Sequence, residues 1–139
     1  ASDNSLELVF NDTYNLLSSS CAALVTSGTA TLETALFKVP QVVCYKSMGK
    51  LSYWIAKRLV KIKYISLVNL ILDKPAVKEL IQDDMNVQNV SNELGKILND
   101  NQYRKSIQDN YNELEIALGG SGASATTASL MYKYLIDND

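Results

Sequence analysis

Residues 22–33 read AALVTSGTATLE, and the order of side chains in that stretch decides the kind of fold. Residues 22–25 are an apolar run of strand length, Ser27 and Gly28 are small turn-formers, and from Thr29 onward the pattern is helical. A strand that passes through a small-residue corner into a helix is a building unit of parallel α/β sheets, and such corners hold phosphate. The first N–H groups of a helix have no partner within it and carry partial positive charge. Gly28 has no Cβ to keep an anion away from that backbone, and Thr29 and Thr31 add hydroxyl donors. Glu33 lies one turn beyond Thr29 on the same helix face, about 6 Å by helical rise, which matches the separation of phosphate and ribose hydroxyls in a nucleotide. The plainer alternative is a helix start, because Ser, Gly and Thr open helices and an acid in the first turns suits the dipole. A capping box, however, needs Ser or Thr three residues before the acid, where this chain has Ala30. Capping alone therefore leaves Glu33 without a role.

Working outward, residues 6–10 read as a short strand, and Asn11, Asp12 and Thr13 supply a turn and a cap for a first helix. Residues 22–26 form a second strand and residues 29–38 a helix on which Leu32, Ala35, Leu36 and Val39 repeat at one-face spacing. Pro40 ends it, and residues 41–45 are a third strand. Strands alternating with helices over short connections define an α/β fold with a partial, Rossmann-like parallel sheet, in which ligands sit at the carboxyl ends of the strands. Residues 49–62, GKLSYWIAKRLVKI, form an amphipathic basic helix that suits either a core-packing role with a solvated back or a membrane interface. Residues 64–67 suggest a fourth strand, which would run into the loop around Asn69.

From Pro75 onward the pattern is helical: residues 76–82, 87–99 and 102–118, then a break at GGSG and a last helix over 123–136. The expected organisation is thus a sheet of three to four strands with a helical C-terminal tail. Residues 1–118 form the main body, and residues 119–139 a linker and final helix. The apolar stripe from Thr127 to Leu135 needs a surface to dock on, such as a second copy of the chain. Three strands and four trailing helices, entered without an initiating methionine, have the look of a fragment.

Composition narrows the chemistry. With 139 residues, 47% of them apolar, and a net charge of −2, the chain suits one soluble domain and gives no sign of a nucleic-acid partner. It contains no histidine, so the commonest metal ligand and general base is missing. Cys21 and Cys44 lack CxxC spacing and read as buried, reduced thiols of a cytosolic protein. Between Glu33 and Asp73 there is no acidic residue, while seven of the thirteen basic ones fall there. That basic island favours an anionic partner, either a ligand or a membrane surface.

The segments ALVTSGTATLETALFKVPQVVCYK, SYWIAKRLVKIKYISLVN and VKELIQ together resemble the C-terminal part of the lipid A disaccharide synthase family. The resemblance implies a GT-B architecture of two Rossmann-like domains, the C-terminal one binding the sugar-nucleotide donor. It implies an inverting glycosyltransferase of lipid A biosynthesis that moves 2,3-diacylglucosamine from UDP to 2,3-diacylglucosamine 1-phosphate. The family's enzymes are cytoplasmic and peripheral to the inner membrane, form dimers, and typically need no metal or other cofactor. Carried over, Ser27, Gly28, Thr29, Ala30, Thr31 and Glu33 would bind UDP, while Asn69, Glu79 and Gln82 would lie near the donor sugar. The family's catalytic base belongs to an N-terminal domain that this chain lacks, so no catalytic residue is expected and the piece would be inactive alone. Val68 and Asp73 depart from the family's usual proline and glycine, which puts the local backbone there in question. Two other readings stay open: a non-catalytic module for membrane-surface or self-association, and another GT-B sugar-nucleotide enzyme.

Overall fold

The computed structural model describes residues 6–26, 28–46 and 63–120. Among these, the elements run α1 (Thr13–Ser19), β1 (Ala23–Thr26), α2 (Thr29–Leu36), β2 (Gln41–Tyr45), α3 (Leu67–Leu72), β3 (Lys78–Ile81), α4 (Val87–Asn99) and α5 (Asn101–Ala117), with a 3₁₀ turn at Gln82–Asp84. The three strands form one parallel sheet in the order β1-β2-β3. Its register sets Val25 beside Val43 and Val43 beside Glu79, so the strands finish at a common carboxyl edge. β2, the middle strand, is buried from Gln41 to Cys44, as expected of a parallel strand covered on both faces.

The core joins Val42, Val43, Cys44 and Leu80 of the sheet to Ala35 of α2, Val68 of α3, Ile97 of α4, and Ile107, Tyr111 and Leu114 of α5. Fully burying each such aliphatic side chain is worth about 1.5–3 kcal/mol. Tyr111 also locks α5 to the sheet through polar contacts: its hydroxyl donates to the Val39 carbonyl at 3.1 Å and accepts from Gln41 Nε2 at 3.2 Å. Burial raises the pKa of this phenol, so the neutral form is the one the fold holds. Around the same joint, Lys38 Nζ donates to the Tyr111 carbonyl and to Glu115, and Gln108 donates to the Lys38 carbonyl.

Five expectations change. Residues 6–10 are not a strand: they pair with no neighbour among the described residues, and Leu6 is 99% exposed. A strand is only as stable as the ladder beside it, and here none is offered. Residues 64–67 are not a strand either; Ser66 instead caps α3, accepting from the Asn69 N–H at 3.3 Å. Residues 76–82, expected as a helix, supply β3, since AVKELIQ has helix-forming side chains but the vacant flank of β2 decides. Finally, the buried face of α2 is Thr31, Thr34 and Ala35, whereas Leu36 is 46% exposed. Cys44 is buried, which pushes its thiol pKa up, but Cys21 is exposed, so only one of the two thiols is sheltered.

The expected helix over 49–62 and the last helix over 123–136 lie outside the described residues. No described helix is long and apolar enough to cross a membrane.

Candidate functional site

The corner after β1 is built by Gly28. Its φ of 120° and ψ of −160° fall where an L side chain does not go, and a Cβ placed there would meet nothing within 4 Å. The glycine is therefore required by the backbone turn and not by crowding, and the space above it is open. Ser27 lies outside the described residues. Thr29 and Ala30 are exposed, and their N–H groups find no partner among the described residues. Thr31 behaves differently. It is fully buried, its hydroxyl donates to the Gly28 carbonyl at 2.8 Å, and its N–H reaches the same oxygen at 3.2 Å. The expected ligand-facing hydroxyl at Thr31 is thus turned inward, where it fastens the corner in shape. A helix-wheel reading could have found this, because Thr31, Thr34 and Ala35 share a face.

Glu33 is half-buried and its carboxylate has no hydrogen-bond partner among the described residues. It stands where two clefts meet, each of about 330 Å³. One is polar, between Glu33 and Asn11 to Tyr14; the other is more apolar, between α1 and α2. Sequence reasoning assigned residues 11–13 to a turn and a cap, and Tyr14 to the helix that follows. Nothing local marks them as neighbours of Glu33, since the proximity arises only when α1 folds onto α2.

The second group of expected site residues occupies the other side of the sheet. Asn69, on α3, is 1% exposed. Its Nδ2 donates to the Val77 carbonyl and to Glu79, and its Oδ1 accepts from the Val77 N–H, all at 2.9 Å. The Glu79 carboxylate also accepts from the N–H groups of Ile65 and Ser66, the latter at 2.9 Å. The two residues are thus brought together, and their polar atoms tie the loop before α3 to β3. Both line a cleft of about 280 Å³ that Tyr64, Ile81 and Tyr103 also wall. Gln82 is separate from this knot. It follows β3 at the carboxyl edge with a left-handed φ of 53°, and its Nε2 is buried without a partner. With neighbouring strands about 4.8 Å apart, Gln82 is roughly 10 Å along that edge from the end of β1.

A parallel sheet whose first strand opens through a glycine corner into a helix, with bare amides at its carboxyl edge, defines the class: a Rossmann-like α/β segment. The family model described as lipid-A-disaccharide synthetase matches residues 2–132, and the chain belongs to that family. Among curated relatives, the lipid-A-disaccharide synthase of Coxiella burnetii (strain Dugway 5J108-111) is 33% identical over 130 residues, covering 94% of this chain and 34% of that protein. The enzyme of the same name from Syntrophus aciditrophicus is 37% identical over 134 residues, 96% of this chain and 35% of its own length. That of Actinobacillus pleuropneumoniae is 48% identical over 97 residues, 67% of this chain and 24% of its own. The chain thus spans about a third of the length of the first two of these relatives.

Proposed function

We propose that this chain is the donor-binding part of a lipid A disaccharide synthase, an inverting GT-B glycosyltransferase that uses UDP-2,3-diacylglucosamine. In this reading the amides of Gly28, Thr29 and Ala30, with Ser27 beside them, receive the diphosphate, and Glu33 accepts the ribose hydroxyls. As charge builds on the departing UDP, these fixed donors stabilise it without having to reorganise. Thr31 holds the corner, Asn69 and Glu79 hold the wall near the donor sugar, and Gln82 faces that sugar. The acceptor, 2,3-diacylglucosamine 1-phosphate, and the catalytic base belong to an N-terminal domain, so the chain alone binds UDP and transfers nothing. The whole enzyme would work in the cytoplasm at the inner-membrane surface, as a dimer.

The observation that carries this reading is the open Gly28 corner with its two bare N–H groups and an unpartnered Glu33 one turn below. Calorimetric titration of the chain with UDP is the test. Saturable binding at one site is expected; heats no larger than those of dilution would overturn the reading.

A further inference from the structure

Gln41 opens β2 with its side chain wholly buried, beside core residues that include Val42, Val43, Cys44 and Leu80. A carboxamide in such surroundings is cut off from water and has to find its hydrogen bonds within the protein. Its Nε2 finds two, donating to the Thr31 carbonyl at 2.8 Å and to the Tyr111 hydroxyl at 3.2 Å. Its Oε1 finds none among the described residues. An apolar side chain of the same length would leave no acceptor unpaired, so stability does not account for a glutamine here.

Neither of its partners depends on it. Thr31 lies within α2, where a carbonyl accepts from the N–H one turn on, and the Tyr111 hydroxyl already has an acceptor in the Val39 carbonyl. What the glutamine supplies is alignment. The bonds run in series from Tyr111 on α5 to Gln41 on β2 and on to the Thr31 carbonyl. Thr31 then holds the Gly28 carbonyl, through its hydroxyl at 2.8 Å and its N–H at 3.2 Å. Tyr111, Gln41 and Thr31 are each at most 1% exposed, so water does not compete for these contacts.

The series ends on the peptide unit that joins Gly28 to Thr29. That unit is planar and trans, with its N–H pointing opposite to its carbonyl. Holding the Gly28 carbonyl inward therefore aims the Thr29 N–H outward, and that N–H is one of the two without a partner among the described residues. We propose that Gln41 is a positioning residue for the Gly28 corner: its buried carboxamide acts through Thr31 to fix the direction in which the Thr29 N–H meets a diphosphate. The role toward the ligand rests on the donor-site reading given under Proposed function, whereas the alignment of the peptide is open to test without any ligand.

Gln41→Met keeps the length of the side chain and removes its polar atoms. Three measurements compare it with the parent: calorimetric titration with UDP, the melting temperature, and the backbone amide spectrum of the unliganded chain. UDP affinity is expected to fall about tenfold, the scale of one weakened hydrogen bond to a charged group. The melting temperature should stay level or rise, because the unpaired Oε1 is gone and neither former partner is stranded. In the unliganded spectrum the Thr29 and Thr31 amides should move while those of Ile65 and Ser66 stay in place. A glutamine that served only to hold α2 to the sheet would give a different pattern, with melting temperature and affinity falling together or the melting temperature falling alone. Either of these, or a variant that fails to fold, would overturn the positioning role. So would a Thr29 amide that does not move, or a variant that binds UDP as the parent does; both leave the donor site standing. A parent that binds no UDP would overturn the donor site and, with it, the aim of the corner at a diphosphate.

Discussion

At the carboxyl end of β1, the Gly28 corner leaves main-chain donors and a carboxylate without partners, whereas beside β3 nearly every polar atom of Asn69 and Glu79 is engaged within the fold. Both groups come from motifs that look equally polar and equally suited to a sugar nucleotide. What separates them is where the hydrogen bonds go. A buried polar group left unpaired costs roughly 1–3 kcal/mol, so Asn69 and Glu79 are framework in this chain. The Gly28 corner keeps its donors at the surface, where water can satisfy them.

If that division holds, perturbing the framework should unfold the chain, while perturbing the corner should abolish binding. The largest effect is expected at high pH. Burial raises the pKa of both Tyr103 and Tyr111, and a hydrogen bond to Glu93 adds to the rise at Tyr103. A phenol whose folded-state pKa lies above its unfolded value of about 10 contributes stability that is complete below that pH and lost as pH climbs beyond it. Circular dichroism should therefore show cooperative unfolding starting above about pH 10, with the part of the tyrosine absorbance change that belongs to Tyr103 and Tyr111 coinciding with it. Ionisation of all tyrosines well before unfolding would contradict the burial account.

Next in size is Asn69→Ala, which strands the Val77 N–H and carbonyl. It should cost about 3 kcal/mol, roughly 10 °C in melting temperature. A shift within a degree would mean that the knot beside β3 is not framework. Gly28→Ala comes third: with no clash to relieve, only backbone strain remains, about 1–3 kcal/mol. It should also remove UDP binding, so a variant that melts lower yet binds UDP as the parent does would break the link between corner and ligand. The smallest effect on stability belongs to Glu33→Ala, within about 0.5 kcal/mol for a side chain without internal partners. Its UDP affinity should nonetheless fall about tenfold, the reverse of the pattern for Asn69→Ala.

The same contrast explains how much was legible in the sequence. The corner could be read because its chemistry is local: an apolar run, a glycine and a helix start are contiguous, and β1, α2 and β2 fall where the pattern puts them. The helix over Val87–Asn99 was legible for the same reason, with Asn86 capping it by accepting from the Asn89 N–H at 3.0 Å. β3 was not, because AVKELIQ has helix-forming side chains and becomes a strand only beside β2. KELI carries no polar–apolar alternation, and Lys78 and Leu80, which share a face of the strand, are exposed and buried respectively, so no period-two signal was available. The framework role of Asn69 and Glu79 left no trace at all, as it depends on α3 and β3 meeting across a turn. Residues 6–10 misled in the opposite direction, being strand-like in composition but without a neighbour to pair with.

The division is tested most directly by backbone amide NMR of the isotopically labelled chain during titration with UDP. The account predicts the largest shift changes at Gly28, Thr29 and Ala30, with little movement at Ile65, Ser66 and Asn69. Changes centred on the Asn69 and Glu79 knot, with the Gly28 corner unmoved, would contradict it.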